Sequence, residues 1–125
     1  MTDQPTNDDP LVMYVVVRKD LSKTLKWPTG SIIAQGCHAS VAALSLFYTH
    51  QDTREYISNL DTMHKVVLAA NSEEELLEQS KILERNNIDH KVWVELPEIV
   101  NSALATRPYR RSQIKALFSA LKLFR

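Results

Sequence analysis

The sequence predicts an α/β domain, a three-layer α-β-α arrangement around a mixed, mostly parallel four-stranded sheet. Three observations carry that prediction. Leu11–Arg18, LVMYVVVR, is an unbroken apolar run rich in β-branched residues, the pattern of a strand covered on both faces. Strand-like and helix-like segments then follow in the order β-α-α-β-α-β-β-α. At 125 residues and 44% hydrophobic content, the chain fits one domain with a substantial core.

The elements follow in order. MTDQPTNDDP is polar and acidic and reads as a disordered tail over residues 1–10, leaving 11–125 as the domain. After the first strand comes a polar loop, KDLSKTLKWPTG, whose end is marked by Pro28 and Gly30. Gly30-Ser31 opens a helix to about Tyr48, with Ser31 or Thr29 as the N-cap oxygen. Ala34, Gly36, Cys37, Ala39, Ser40, Ala42 and Ala43 make this helix thin, as suits a backbone lying close to a sheet or a ligand. DTREYISNL is a second, short helix, and Lys65–Ala70, KVVLAA, a second strand. Ser72 with Glu75 three residues on forms a capping box for the next helix. Leu76, Leu77, Ile82 and Leu83 give that helix its apolar face, and Asn86-Asn87 ends it. DHKVWVEL and SALATR are the third and fourth strands, and their short link predicts an antiparallel pair. RRSQIKALFSAL is a final helix, and KLFR adds an extended end.

Formal charge is zero and the pI about 6.9, so overall charge points to no nucleic-acid partner. The distribution is less even. Between Asn101 and Arg125 stand Arg107, Arg110, Arg111, Lys115, Lys122 and Arg125, with no acid among them. That end is either a phosphate-binding surface or an ordinary solvated helix face. A single cysteine, Cys37, excludes an internal disulfide and a multi-cysteine metal site, and predicts a reducing compartment, the cytoplasm. No apolar run approaches the roughly 18 residues of a membrane span, and the acidic N-terminus lacks the chemistry of a targeting signal. With two glycines there is no phosphate-cradling loop and no dinucleotide fingerprint. His50, His64 and His90 lack ligand spacing, so no metal site is expected.

The informative feature is the start of the thin helix. At about 100° per residue, Ser31, Gln35 and His38 fall on one narrow stripe. Sites in open α/β sheets form beyond the C-terminal ends of strands, where helix N-termini favour negative charge. A hydroxyl, an amide and an imidazole at that place make a reasonable active-site wall. His38 equally suits a hydrogen-bonded structural role, and Gln35 a buried amide holding a loop. Cys37 reads as a small core residue. The residues alone thus give a fold and a crevice, but no reaction.

VVVRKDL, WPTGSIIAQGCHASVAA, KVVLAANSEEELL, NIDHKVWVE and a closing LKLF resemble, in order and spacing, the archaeal and eukaryotic (type 2) peptidyl-tRNA hydrolases. The resemblance runs from about Met13 to Phe124. The W-P-x-G before the helix and the Arg107-Pro108-Tyr109 element are most similar to the divergent branch of peptidyl-tRNA hydrolase domain-containing proteins. The resemblance implies hydrolysis of the ester between a peptide, or an N-blocked amino acid, and the 3′ ribose of tRNA, with no metal or organic cofactor. It places Gln35 and His38 at the family's helix glutamine and histidine. Glu95 takes the place of a family aspartate, and Ser102 that of a family threonine. Ser31 stands where the main family has a lysine, for which Lys26 or Arg107 could substitute. The implied catalytic set is His38, Gln35, Glu95, Ser102 and Ser31, with His38 or Glu95 as the base. Arg107, Arg110, Arg111 and Lys115 are the implied tRNA contacts. The partners expected are peptidyl-tRNA, a protein partner and, through a sheet edge, a second copy, with no membrane. The alternative is a binding module on the same fold that grips tRNA or protein without turnover.

Overall fold

The structure, a computed structural model, describes residues 9–125. Residues 1–8 of the expected tail lie outside the described part. Its last two residues are tied down: Asp9 accepts hydrogen bonds from the Ser112 backbone and hydroxyl, both at 2.8 Å, and Pro10 O accepts one from Arg111 N.

Six strands form one sheet: β1 (Leu11–Arg18), β2 (Lys65–Ala70), β3 (His90–Glu95), β4 (Val100–Thr106), β5 (Tyr109–Arg110) and β6 (Lys122–Leu123). The spatial order is β3-β4-β1-β2-β6, with β5 paired to the start of β1. This corrects the expected strand count, since β5 and β6 are two-residue strands added at the margins. It also corrects the expected direction. The sheet is mixed, but only β1 and β2 run parallel, and the other four pairings are antiparallel. The link Leu96–Ile99 is too short for a crossover, so β4 must double back on β3. β4 then slots between β3 and β1, which separates two strands that point the same way.

β1 is buried along its whole length, Leu11–Val17 as an apolar central run and Arg18 through its pairing with Asp20. Its alternation sorts the core into two clusters. Leu11, Met13, Val15 and Val17 pack with Ile32, Ala39 and Ala43 of α2 (Thr29–Leu46). Val12, Tyr14 and Val16 pack with Leu76 and Leu83 of a later helix, and with Ile114 and Phe118 near the C-terminus. The thinness of α2 serves its approach to the sheet: a Cβ on Gly36 would sit 3.2 Å from Val17 Cγ2 and 3.6 Å from Val15 Cγ1. The expected Ser31 or Thr29 cap is not made. Pro28 is the N-cap, its carbonyl accepting from Ser31 N, and no side chain caps the helix. Cys37 is exposed, not part of the core.

The polar loop after β1 contains one short helical turn, α1 (Leu21–Thr24), which buries Leu21. The helix α3 (Gln51–Ser58) is capped by His50, whose ring nitrogen accepts from Asp52 N at 3.0 Å. Ser72 caps α4 (Glu73–Arg85), accepting from Glu75 N at 3.1 Å, which is the first half of the expected capping box; the Glu75 side chain makes no return bond to the Ser72 backbone. The single C-terminal helix expected from the sequence is broken into α5 (Arg111–Ile114) and a 3₁₀ turn (Lys115–Phe118). The tighter turn lets Leu117 O accept from Gln79 Nε2 at 2.9 Å and stacks Phe118 on Tyr14 with centroids 4.3 Å apart. Among the described residues no helix is long and apolar enough to cross a membrane.

Tyr56 of α3 closes one end of the α2-side core, donating to His64 O at 3.0 Å and accepting from Lys65 Nζ at 3.2 Å. Burial pushes its phenol from 10.0 up to about 12. The unfolded chain therefore loses this proton first, so stability falls as pH rises from 10 towards 12, by up to about 3 kcal/mol. Burial pushes Tyr109 up as well, which adds to the loss. Burial pulls the Lys65 ammonium down from 10.5, an opposite contribution confined to pH values at or below that of a free lysine. Urea unfolding at pH 9.5 and pH 11.5 should show the decline, and Tyr56→Phe should remove most of it. An equal decline in that variant contradicts the assignment.

Candidate functional site

The C-terminal end of β1 is organised by the R-x-D element. The Arg18 guanidinium forks onto Asp20, with Nε to Oδ1 at 3.0 Å and Nη2 to Oδ2 at 2.7 Å. Its Nη1 donates to Asn101 O at 3.1 Å, and Glu73 lies 3.9 Å away. One buried cation thus fixes the loop after β1, the start of β4 and the start of α4. This pair is nearly dry and bidentate, the geometry in which an ion pair holds structure. Sequence reasoning treated the motif as a family mark and missed its function as a clamp.

The residue after Asn101 is Ser102, fully buried, whose hydroxyl donates to Gln35 Oε1 at 2.5 Å. The same amide donates through Nε2 to Ser31 O at 3.1 Å. Gln35 is only 2% exposed and so bridges the first turn of α2 to β4 from behind the crevice. Both readings of Gln35 left open by the sequence are thereby narrowed: its amide holds backbone and strand together. Ser31 contributes its carbonyl to this strut and remains half-buried at the rim.

One turn further, His38 is exposed and stacks on Trp93 of β3, with ring centroids 4.9 Å apart and planes tilted by 31°. The Trp93 indole N–H donates to Glu95 Oε1 at 2.9 Å. The indole therefore joins the two candidate bases, touching the imidazole with its face and the carboxylate with its edge. Trp93 was absent from the residues picked out in the sequence. The available signal was its place two residues before Glu95, on the same face of a strand.

The structure brings Ser31, Gln35, His38, Glu95 and Ser102 into one neighbourhood. It does not bring the expected phosphate contacts there. Arg107 is buried, 6% exposed, with Nε to Asp89 Oδ2 at 2.9 Å and Nη1 to Asp52 Oδ2 at 3.3 Å. Its guanidinium also lies 3.7 Å from the centre of the Tyr109 ring. This contradicts a solvent-facing role for Arg107 and equally its substitution for the missing lysine. Arg110 pairs with Leu11 across the sheet and donates to Glu55 at 2.9 Å. Ser102 lies beside Arg18, at the other end of β1. Seven strand steps separate those ends by roughly 23 Å. Arg111 and Lys115 are exposed, but they border a hollow over Tyr14 and Leu68, on the face of the sheet opposite α2.

Other cations stand closer to the crevice end. Lys19, Lys122 and Arg125 border a hollow of about 810 Å³ at the C-terminal ends of β1 and β2, with Asn71 and Glu75. Lys26 is exposed on the loop entering α2.

The family described as Peptidyl-tRNA hydrolase PTH2 matches residues 11–124. A mouse protein named "Putative peptidyl-tRNA hydrolase PTRHD1" is 43% identical over 116 residues, covering 92% of this chain and 83% of the relative. The human protein of the same name is 41% identical over the same shares of both chains. With the matched region spanning every described strand and helix, the chain belongs to the PTH2 family of peptidyl-tRNA hydrolases.

Proposed function

We propose that the protein hydrolyses the ester joining a peptide, or an N-blocked amino acid, to the 3′ ribose of tRNA. The observation that carries this reading is the His38–Trp93–Glu95 arrangement, mounted on α2 and β3 and braced from behind by the Gln35–Ser102 bond. His38 is the base: its exposed imidazole is open to water, whereas one Glu95 oxygen is engaged by the indole. The imidazole takes a proton as water adds to the ester carbonyl, then returns it to the ribose 3′ oxygen as the carbon–oxygen bond breaks. Trp93 and Glu95 hold the ring and meet its transient positive charge, the indole face by cation–π attraction and the carboxylate through the field it sets there. Gln35 and Ser102 act as positioning residues, fixing α2 against β4.

Ser31 lies seven residues from His38, roughly 10 Å along the helix. That span suits contact with the ribose or phosphate of the terminal nucleotide, not with the reacting carbonyl. Lys19, Lys122 and Arg125 lie at the same end of the sheet and supply backbone contacts. The double variant Lys122→Glu, Arg125→Glu should weaken tRNA binding at least tenfold and flatten its dependence on salt. An unchanged salt slope places the backbone elsewhere.

Glu95 and Trp93 test the chemistry. Trp93→Ala should lower single-turnover hydrolysis by about 10²-fold, and Trp93→Phe by less, since the ring stack survives while the bond to Glu95 is lost. Glu95→Gln keeps an acceptor for the indole and removes the charge, so the loss it shows isolates the field of the carboxylate. Full activity in Trp93→Ala, with fold retained, sinks the proposed roles.

A further inference from the structure

α2 covers the sheet unevenly. Its buried residues lie over β1 and the neighbouring β4, while Val67 of β2 is left 40% exposed on the same side. Between helix and strand runs a groove of about 500 Å³, walled by Ile33, Val41 and Leu44 and floored by Val15, Val17 and Val67. Ile33 and Val41 are 61% and 64% exposed, unusual for large aliphatics on a helix that also packs a core. This flank of α2 faces away from the one carrying Gln35 and His38.

The groove is apolar but not uniform. Met63 and Lys65 close one end, level with Met13, and Phe124 lies beside Val67 nearer the other. The Lys65 ammonium bonds the neutral Tyr56 hydroxyl at 3.2 Å and lies 5.3 Å over that ring. Among the described residues no carboxylate pairs with it. A half-buried cation without a counter-ion, at the end of an apolar channel, is complementary to an anionic head on an apolar chain. The volume lies within the range of small-molecule sites, which combine mostly apolar walls with a few placed polar groups. From Ile33 to Leu44 the helical wall is about 16 Å long, enough for an extended chain of medium length.

We propose that this groove binds a free single-chain carboxylate of the fatty-acid class, its chain along the Ile33–Leu44 flank of α2 and its head at Lys65. The site is separate from the ester crevice and stands whether or not the chain hydrolyses peptidyl-tRNA.

Cys37 makes the test direct. It is the one cysteine in the sequence, it is exposed, and it lines the groove. The rate of its alkylation by a maleimide is measured on the full chain with dodecanoate, dodecanol or dodecyltrimethylammonium, each below its micellar concentration. The expected result is at least tenfold slowing by saturating dodecanoate and none by the cationic amphiphile. Lys65→Met should weaken dodecanoate protection at least tenfold, and Lys65→Arg should retain it, with circular dichroism confirming that both are folded. No protection by dodecanoate overturns the proposal. So does equal protection by all three amphiphiles, or protection given only by vesicles of anionic phospholipid.

Discussion

Replacing Arg107 by alanine is expected to destabilise the protein by about 3 kcal/mol, the largest stability effect of any single change considered. The guanidinium joins Asp89, just before β3, to Asp52 of α3 and to its own Pro108 carbonyl, and stacks on Tyr109. Removing it leaves two carboxylates facing each other across an emptied space. Their partial exposure lets water offset some of the loss, which keeps the expected figure below that for a fully buried pair. Arg107→Met preserves much of the stem packing and should cost less, about 2 kcal/mol. Urea unfolding checks both. The same variants, while folded, should leave the salt dependence of tRNA binding unchanged. A loss under 1 kcal/mol together with weakened tRNA binding would instead return Arg107 to the surface that meets phosphate.

Introducing lysine at Ser31 is expected to raise kcat/KM by roughly a hundredfold through tighter binding of the terminal nucleotide, with the rate at saturating substrate little changed. Ser31 is half-buried at the rim, and its link to Gln35 runs through the backbone carbonyl, so changing the side chain leaves the strut intact. A cation in the first turn of a helix is opposed by the dipole, at a cost of about 0.3–1 kcal/mol, far smaller than the expected gain. The lysine would meet the anionic 3′ end of the substrate. Ser31→Met, which matches the stem without the charge, should give no increase. Equal kcat/KM for lysine and methionine would show that this site does not use a cation at position 31.

What the sequence made legible was what local pattern controls. β1 is apolar at all but its last position because it is central and covered on both faces. Ser72 and Glu75 announce the start of α4 because the cap is made within four residues. The stripe of Ser31, Gln35 and His38 follows from helical geometry alone. The rest depends on partners distant in the chain. β5 and β6 are strands only because β1 and β2 offer them an edge, and two residues carry no periodicity. The antiparallel majority arises from where β4 inserts, which no local pattern states. Arg107 looked like a free cation because Asp52 lies 55 positions away. Ser102 stands out in the sequence only through the family resemblance, because its acceptor, Gln35, is 67 positions distant.

The most direct test of the central claim is single-turnover hydrolysis of an N-blocked aminoacyl-tRNA by the wild-type protein beside His38→Ala and Gln35→Ala, with tRNA binding measured on the same samples. The account predicts acyl release by wild type above the buffer rate. It predicts a loss of at least tenfold in His38→Ala with binding preserved, and a loss in Gln35→Ala accompanied by lower stability, since that change orphans the buried Ser102 hydroxyl. A wild-type rate equal to buffer, with salt-sensitive tRNA binding intact, would contradict it and leave a fold that grips tRNA without cutting the ester.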